Sequence, residues 1–237
     1  MIQTEGIFVG GSAISAPIIG EDFNWSGGDG TYQVLDDGGS NWRIKFLSSG
    51  TFTPLKNMVI DVFLVGGGGG AGSSYCGEGG AGYTTTVRSV VLTANTAYSI
   101  VVGAAGTNGN PSSAGGETTA FTASAAGGKN TSNGTSSSKR PGGAGGSGGA
   151  GYVSPVATTT GGTDGGDGTS SATTGGKGQG TTTREFGEAD GTLYASGGGS
   201  NLTATVSNSG NGGRNGITSI EPADGIVVIR QHKEVAA

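Results

Sequence analysis

The sequence predicts an all-β chain: an antiparallel β-sandwich base carrying a bundle of polyglycine II-type (threefold, left-handed) helices, with polar connecting loops and essentially no α-helix. Three observations carry this. The strongest apolar run, Met58-Val59-Ile60-Asp61-Val62-Phe63-Leu64-Val65, leads straight into five consecutive glycines at 66–70. A second clean strand pattern, Ile226-Val227-Val228-Ile229-Arg230, closes the chain. Between them, 54 glycines in 237 residues recur in short groups with no helical periodicity.

Taken in order, residues 1–41 hold short apolar groups, Ile7-Phe8-Val9 and Ile18-Ile19, among Gly, Ser and Asp. They read either as an N-terminal arm for attachment or oligomerisation or as two or three edge strands of the main domain, which spans 42–237. Trp42-Arg43-Ile44-Lys45-Phe46-Leu47 alternates apolar with basic, as a half-exposed strand does. The run at 58–65 is apolar on both faces except for Asp61, which predicts a central strand. Residues 83–90 alternate again, and 91–93 with 98–103 flank Ala94-Asn95-Thr96-Ala97 as a predicted hairpin. Glu117-Thr118-Thr119-Ala120-Phe121 is one more short strand.

From 125 to 216 the glycine groups have no strict third-position register, so collagen is excluded. Ordering a glycine costs about 0.5–1 kcal/mol more than ordering alanine, and few large apolar residues are present here to offset it. Cohesion must come from the backbone. Chains without side chains can approach until their N–H and C=O groups satisfy one another laterally. The Thr/Ser/Asn-rich stretches 129–141, 152–160 and 200–208 then join such rods. The first and last strong strands bracket this region, as expected if they pair in one sheet.

Twelve basic and seventeen acidic side chains leave a net charge of −5, and the longest basic run is Lys139-Arg140. There is no electrostatic footprint for nucleic acid. The longest apolar run is far short of the roughly 20 residues that cross a bilayer. The N-terminus lacks a secretion signal, so synthesis in a cytoplasm is expected without membrane insertion. A single cysteine, Cys76, allows no intramolecular disulfide.

Candidate chemistry weakens on inspection. Residues 66–71 fit the dinucleotide fingerprint, but no helix pattern follows to hold a pyrophosphate. Gly145-Gly146-Ser147-Gly148-Gly149 fits a nucleophile elbow, with the only histidine, His232, later in the chain. No strand precedes Ser147, and His232 reads as a solvated tail residue. Asp164 and Asp167, in Thr163-Asp164-Gly165-Gly166-Asp167-Gly168, offer one copy of a calcium-roll pattern, against a solvated turn. Arg184-Glu185 with Glu188 and Asp190 reads as a solvated charged turn. Tyr152, Phe186 and Tyr194 read as anchors where rods meet loops or as stacking platforms for sugar. No cofactor, metal or catalytic constellation is implied, and the chain is read as non-enzymatic.

A family resemblance supplies the rest. Residues 42–53, the strand and glycines at 60–70, Gly82-Tyr83-Thr84, Ile100-Val101-Val102-Gly103, the stretch from Gly178-Gln179-Gly180-Thr181 through Phe186-Gly187, and 225–230 together resemble the glycine-rich domain of phage and prophage tail proteins. More distantly the architecture resembles the distal tail-fibre adhesins of T-even-like phages, whose glycine helices display host-binding loops. The resemblance implies a virion tail protein, outside the cell once assembled, partnered with tail or baseplate proteins and a bacterial surface glycan or outer surface protein. A homotrimer follows by the same analogy. Receptor binding would then fall to the polar loops, with Lys129, Asn130, Asn133, Lys139, Arg140, Tyr152, Val153, Thr158, Asn201, Leu202 and Asn208 as contact candidates. The alternatives are a structural or decorating virion protein without receptor binding and, remotely, an ice-binding glycine-helix protein.

Overall fold

The computed structural model of the chain describes residues 22–28, 30–38, 41–135, 140–152, 159–169, 175–215 and 219–232. Among these, ten strands form two five-stranded antiparallel sheets, and there is no α-helix. The first sheet has the order β1 (Phe23–Trp25), β4 (Gly50–Pro54), β7 (Tyr98–Val101), β8 (Thr118–Ala120), β9 (Ala123–Ala125). The second has the order β2 (Tyr32–Asp36), β3 (Trp42–Phe46), β10 (Ile226–Gln231), β5 (Met58–Val65), β6 (Thr84–Leu92). Residues 22–38 thus supply an edge strand to each sheet.

The sheets bury one core between them. Ile44, Phe46, Ile60, Val62, Leu64 and Ile229 meet Phe23, Phe52, Ile100 and Ala120, all within 6% of full burial. Phe46 and Phe52 join the layers edge to face at 5.6 Å. The first and last strong strands pair as expected, with Val65 opposite Ile226 and Val62 opposite Ile229.

Both strands are apolar on both faces because the second sheet is covered on both. Phe63, Val65, Ile226 and Val228 point away from the sandwich core and pack under Phe186, Tyr194 and Ala195. Phe63 lies 6.0 Å from Phe186 and 5.5 Å from Tyr194, ring centre to ring centre. The glycine region therefore sends the segment 181–195 back over the sheet.

The predicted hairpin at 91–103 does not form. β6 belongs to the second sheet and β7 to the first, so residues 93–97 cross the sandwich. Alternation alone cannot separate these cases: Leu92 and Ile100 enter one core from opposite walls, which leaves the same pattern as pairing side by side. β9 went unanticipated, because Ala123-Ser124-Ala125 carries almost no strand signal.

Above the sandwich, backbone hydrogen bonds rotate through neighbours with a three-residue period. Gly66, Gly67 and Gly68 donate to the carbonyls of Tyr83, Gly116 and Ala223 at 2.9, 3.0 and 2.8 Å, and Gly69 and Gly70 return to the first two neighbours at Gly80 and Ser113. Glu78 and Ala81 donate to Ala150 and Ser147, Gly79 and Gly82 to Gly213 and Gly210, Gly80 and Tyr83 to Lys129 and Ala126. The donor advances by three as the acceptor retreats by three, so these rods run antiparallel. The carbonyls of Gly67 and Gly70 accept from Gly128 and Thr131, and those of Gly68 and Ala71 from Gly106 and Gly109. The bundle thus begins at Gly66, directly after the strand that ends at Val65.

Candidate functional site

The register of these bonds orients the bundle. Gly66 adjoins the sandwich, so Gly70 and Glu78, on either side of the turn 72–77, mark the far end. Thr131 bonds at the level of Gly70 and Ala150 at the level of Glu78, so the loops after both leave from that far end. Ser200 donates to Thr159, placing the start of the third loop beside the second. Two of the three expected loops and the head of the third therefore converge opposite the sandwich.

Individual candidates differ in what holds them. Lys129 is exposed. The Asn130 amide donates to the carbonyl and hydroxyl of Ser112 at 2.9 and 3.0 Å. Asn133 accepts from the Ser73 N–H at 2.6 Å and donates to its hydroxyl at 3.0 Å. Arg140 is exposed, its N–H donating to Tyr75 and its side chain to the Asn133 carbonyl at 3.4 Å. Tyr152 packs on Tyr75 with ring centres 5.6 Å apart. Asn201 accepts from the Gly161 N–H at 2.8 Å. Leu202 is buried. Asn208 sits near the sandwich, its amide bridging the carbonyls of Leu47 and Gly225 at 2.9 Å each, so it clasps the base. Lys139, Val153 and Thr158 lie outside the described residues.

The far end also contains a carboxylate, Glu78, that sequence reasoning passed over, beside the lone cysteine. The Glu78 carboxylate accepts the Asn215 N–H at 2.7 Å, and the Asn215 amide donates to Gly72 at 2.7 Å. Burial pushes Glu78 up to about 7, although the Asn215 N–H and the Arg214 charge pull it down. Burial, reinforced by Glu78, pushes the Cys76 thiol up to about 11, and its Sγ donates to the Gly72 carbonyl. The available signal was the side chains themselves: Tyr75, Cys76 and Glu78 interrupt a run of otherwise small residues.

At the opposite end of the second sheet lies a buried ionic network. Asp61 is fully buried and stands opposite a β-bulge, where two β6 residues, Arg88 and Ser89, face it. It takes Arg230 at 3.1 Å, Arg88 at 3.2 Å, the Ser89 N–H at 3.2 Å and His232 Nδ1 at 2.6 Å. Burial opposes its ionisation, but the bonds from His232, Ser89 and Arg230 prevail and hold its carboxyl below the usual range. His232 is therefore no solvated tail residue, since its N–H also donates to Val59. Glu185 is 2% exposed and pairs with Arg43 at 2.6 Å and Lys45 at 3.6 Å, so the turn read as solvated is in part a buried clamp. Arg230 reaches Glu188 at 2.7 Å and lies 4.1 Å over the Phe186 ring. A cleft of about 250 Å³ opens here beside Trp42, Asp190 and Thr192, and its arginines are spent on these ion pairs.

Ser89, His232 and Asp61 have the residue types of an acyl-transfer triad without its alignment. Ser89 Oγ is 3.1 Å from Nε2 but only 3.5 Å from Nδ1. An oxygen on the outward lone pair of Nε2 would be far from Nδ1, so this one lies beside the ring, off the path for proton transfer. Ser147, the elbow serine, is fully buried and accepts the Gly165 N–H at 3.1 Å. Asp164 and Asp167 do not converge on a common point: Asp164 takes Thr182, Thr183 and Arg184, and Asp167 takes Lys177 and Gly178. Phe186 and Tyr194 are buried anchors, so of these three aromatics only Tyr152 lies at the loops, where it meets Tyr75.

A comparison with curated proteins returns no match. Residues 47–230 match the glycine-rich domain family, a span running from just before β4 through all but the last residue of β10. That match takes in seven of the ten strands, β4 to β10, together with the bundle, and leaves out β1, β2 and β3; it spans more than half of the chain, which belongs to the glycine-rich domain family.

Proposed function

We propose that the chain is the glycine-rich domain of a phage or prophage tail protein and acts as an adhesin, binding a bacterial surface receptor through the loops at the far end of its bundle. The observation that carries this reading is their convergence: 72–77, 129–135, 140–141, 152 and 159–160 emerge together, opposite the sandwich. Rods held by main-chain bonds place no demand on the loops between them, so recognition residues can change without loss of the support. The sandwich end, opposite those loops, is then the side for attachment to other tail or baseplate proteins.

The test is adsorption. Purified protein should bind cells of a susceptible strain and compete with phage for them. Joint alanine substitution of Lys129, Arg140, Tyr152 and Asn201 should abolish that competition while leaving the fold intact by circular dichroism. Unchanged competition would remove the loops as the binding surface.

A second reading, a structural or decorating tail component, draws on a different observation: Asn130, Asn133 and Asn201 already bond to neighbouring loops. It predicts that the protein binds no cells from a broad strain panel and does not slow infection.

A further inference from the structure

Tyr75 is held in an unfavourable backbone conformation that the turn itself does not require of a tyrosine. Its φ is +45°, in the left-handed region where a Cβ crowds the backbone. Burial does not explain it, since the residue is 40% exposed. Nor does the turn need a tyrosine. Residues 72–77 are secured by Cys76 Sγ to Gly72, by the Ser73 N–H to Asn133, by Gly134 to the Ser74 carbonyl and by Arg140 to the Tyr75 carbonyl. Glycine at this position would make the same turn without strain. What the strained position uniquely provides is the ring.

That ring rests against Tyr152, which arrives from a different rod, at 5.6 Å and 55°. Two separate elements thus fix one aromatic surface at the end of the molecule, with Ser73, Asn133 and Arg140 beside it. Strain kept at an exposed, over-determined position is characteristic of functional sites. A rigid tyrosine pair offers broad apolar contact at low entropic cost, ringed by donors and acceptors. The ligand that matches is one with an apolar C–H face and a hydroxyl periphery.

Resting on the adhesin reading above, we infer that Tyr75 and Tyr152 form a stacking platform for a hexopyranose of a bacterial surface polysaccharide. The C–H face of the sugar lies on the exposed Tyr75 ring, the inclined Tyr152 ring flanks it, and its hydroxyls bond to the neighbouring polar groups.

The experiment uses the full chain as wild type, Tyr75→Phe and Tyr75→Gly. The probes are cells of a strain that the wild type binds, untreated, protease-treated or periodate-oxidised, and polysaccharide extracted from that strain. Tyr75→Gly relieves the strain, so it should melt no lower than wild type, yet its affinity for cells and polysaccharide should fall roughly tenfold or more. Tyr75→Phe should bind as wild type. Wild-type binding should survive protease and be lost on oxidation. Wild-type binding by Tyr75→Gly overturns the platform and leaves the adhesin reading standing, as does binding removed by protease alone, which indicates a protein receptor. A wild-type protein that binds no strain in a broad panel overturns both.

Discussion

At single residues, the distance between backbones decides what can be substituted. A Cβ on Gly68 would sit 1.8 Å from the carbonyl oxygen of Asn211. A Cβ on Gly28 would meet nothing within 4 Å, although the φ of +90° disfavours it. In urea unfolding, Gly28→Ala should therefore lose about 1 kcal/mol, and Gly68→Ala about 3 kcal/mol or more, because two rods must part. Equal losses would show that the rods are not packed at this distance. Glu78 makes a prediction of opposite character. Its pKa in the fold, about 7, exceeds its ordinary value of 4.5. The folded state thus holds the proton more tightly, and stability is greatest below about 4.5 and falls as pH rises towards 7. Glu78→Gln keeps the acceptor for Asn215 and removes the charge. It should abolish that slope and stabilise the protein at pH 8 by on the order of 2 kcal/mol. A wild-type stability flat between pH 4.5 and 7 would contradict the burial of this carboxyl.

Among elements, the segment 181–195 joins the two kinds of cohesion. It leaves the bundle, lays Phe186 and Tyr194 on the outer face of the second sheet, and is pinned there by Arg43 to Glu185 and Arg230 to Glu188. Phe186 has a φ of +56°, a strain tolerated because its ring is almost fully buried. Phe186→Ala should cost about 3–5 kcal/mol, and Asp61→Ala a similar amount, about 3–5 kcal/mol, by removing the buried carboxylate that Arg230, Arg88 and His232 share and leaving Arg230 with Glu188 alone. Chemical denaturation checks both, and a loss within error for either would show that the outer face is not closed. The strands at both ends of the glycine region were legible because β-branched runs bounded by glycine admit few other structures. Their two-sided apolar character predicted a central position, although not what covered the outer face. Within the covering segment Phe186 and Tyr194 were legible as anchors, whereas the turn at Glu185 was misread because its charges suggested solvent. Only the fold reveals that Glu185 meets Arg43 and Lys45 across more than a hundred residues. The crossing at 93–97 was equally illegible, since pairing within a sheet and facing across a core impose the same alternation on Leu92 and Ile100. At the candidate site, the polar loops could be found from composition, whereas Tyr75 needed its backbone angle and Asn208 its partners Leu47 and Gly225.

Across the whole molecule, side-chain packing and main-chain bonding should behave as one cooperative unit. Val65 ends a buried strand, and Gly66 begins a rod with no break between them. The amides of Gly66, Gly67, Gly69, Gly80 and Gly82 are all bonded inside the bundle. Hydrogen exchange should therefore find them as slow as the amides of β5, despite the glycine content. Exchange at rates typical of an open chain would show that the bundle is a loose appendage. The three-residue rotation of partners also gives each rod a reading frame. Deleting one glycine from 66–70 turns every later donor towards the wrong neighbour, whereas deleting three restores the phase and only shortens the rod. Length changes in the turns leave that phase untouched. A chain built this way can exchange its loops freely while its rods change length only in steps of three.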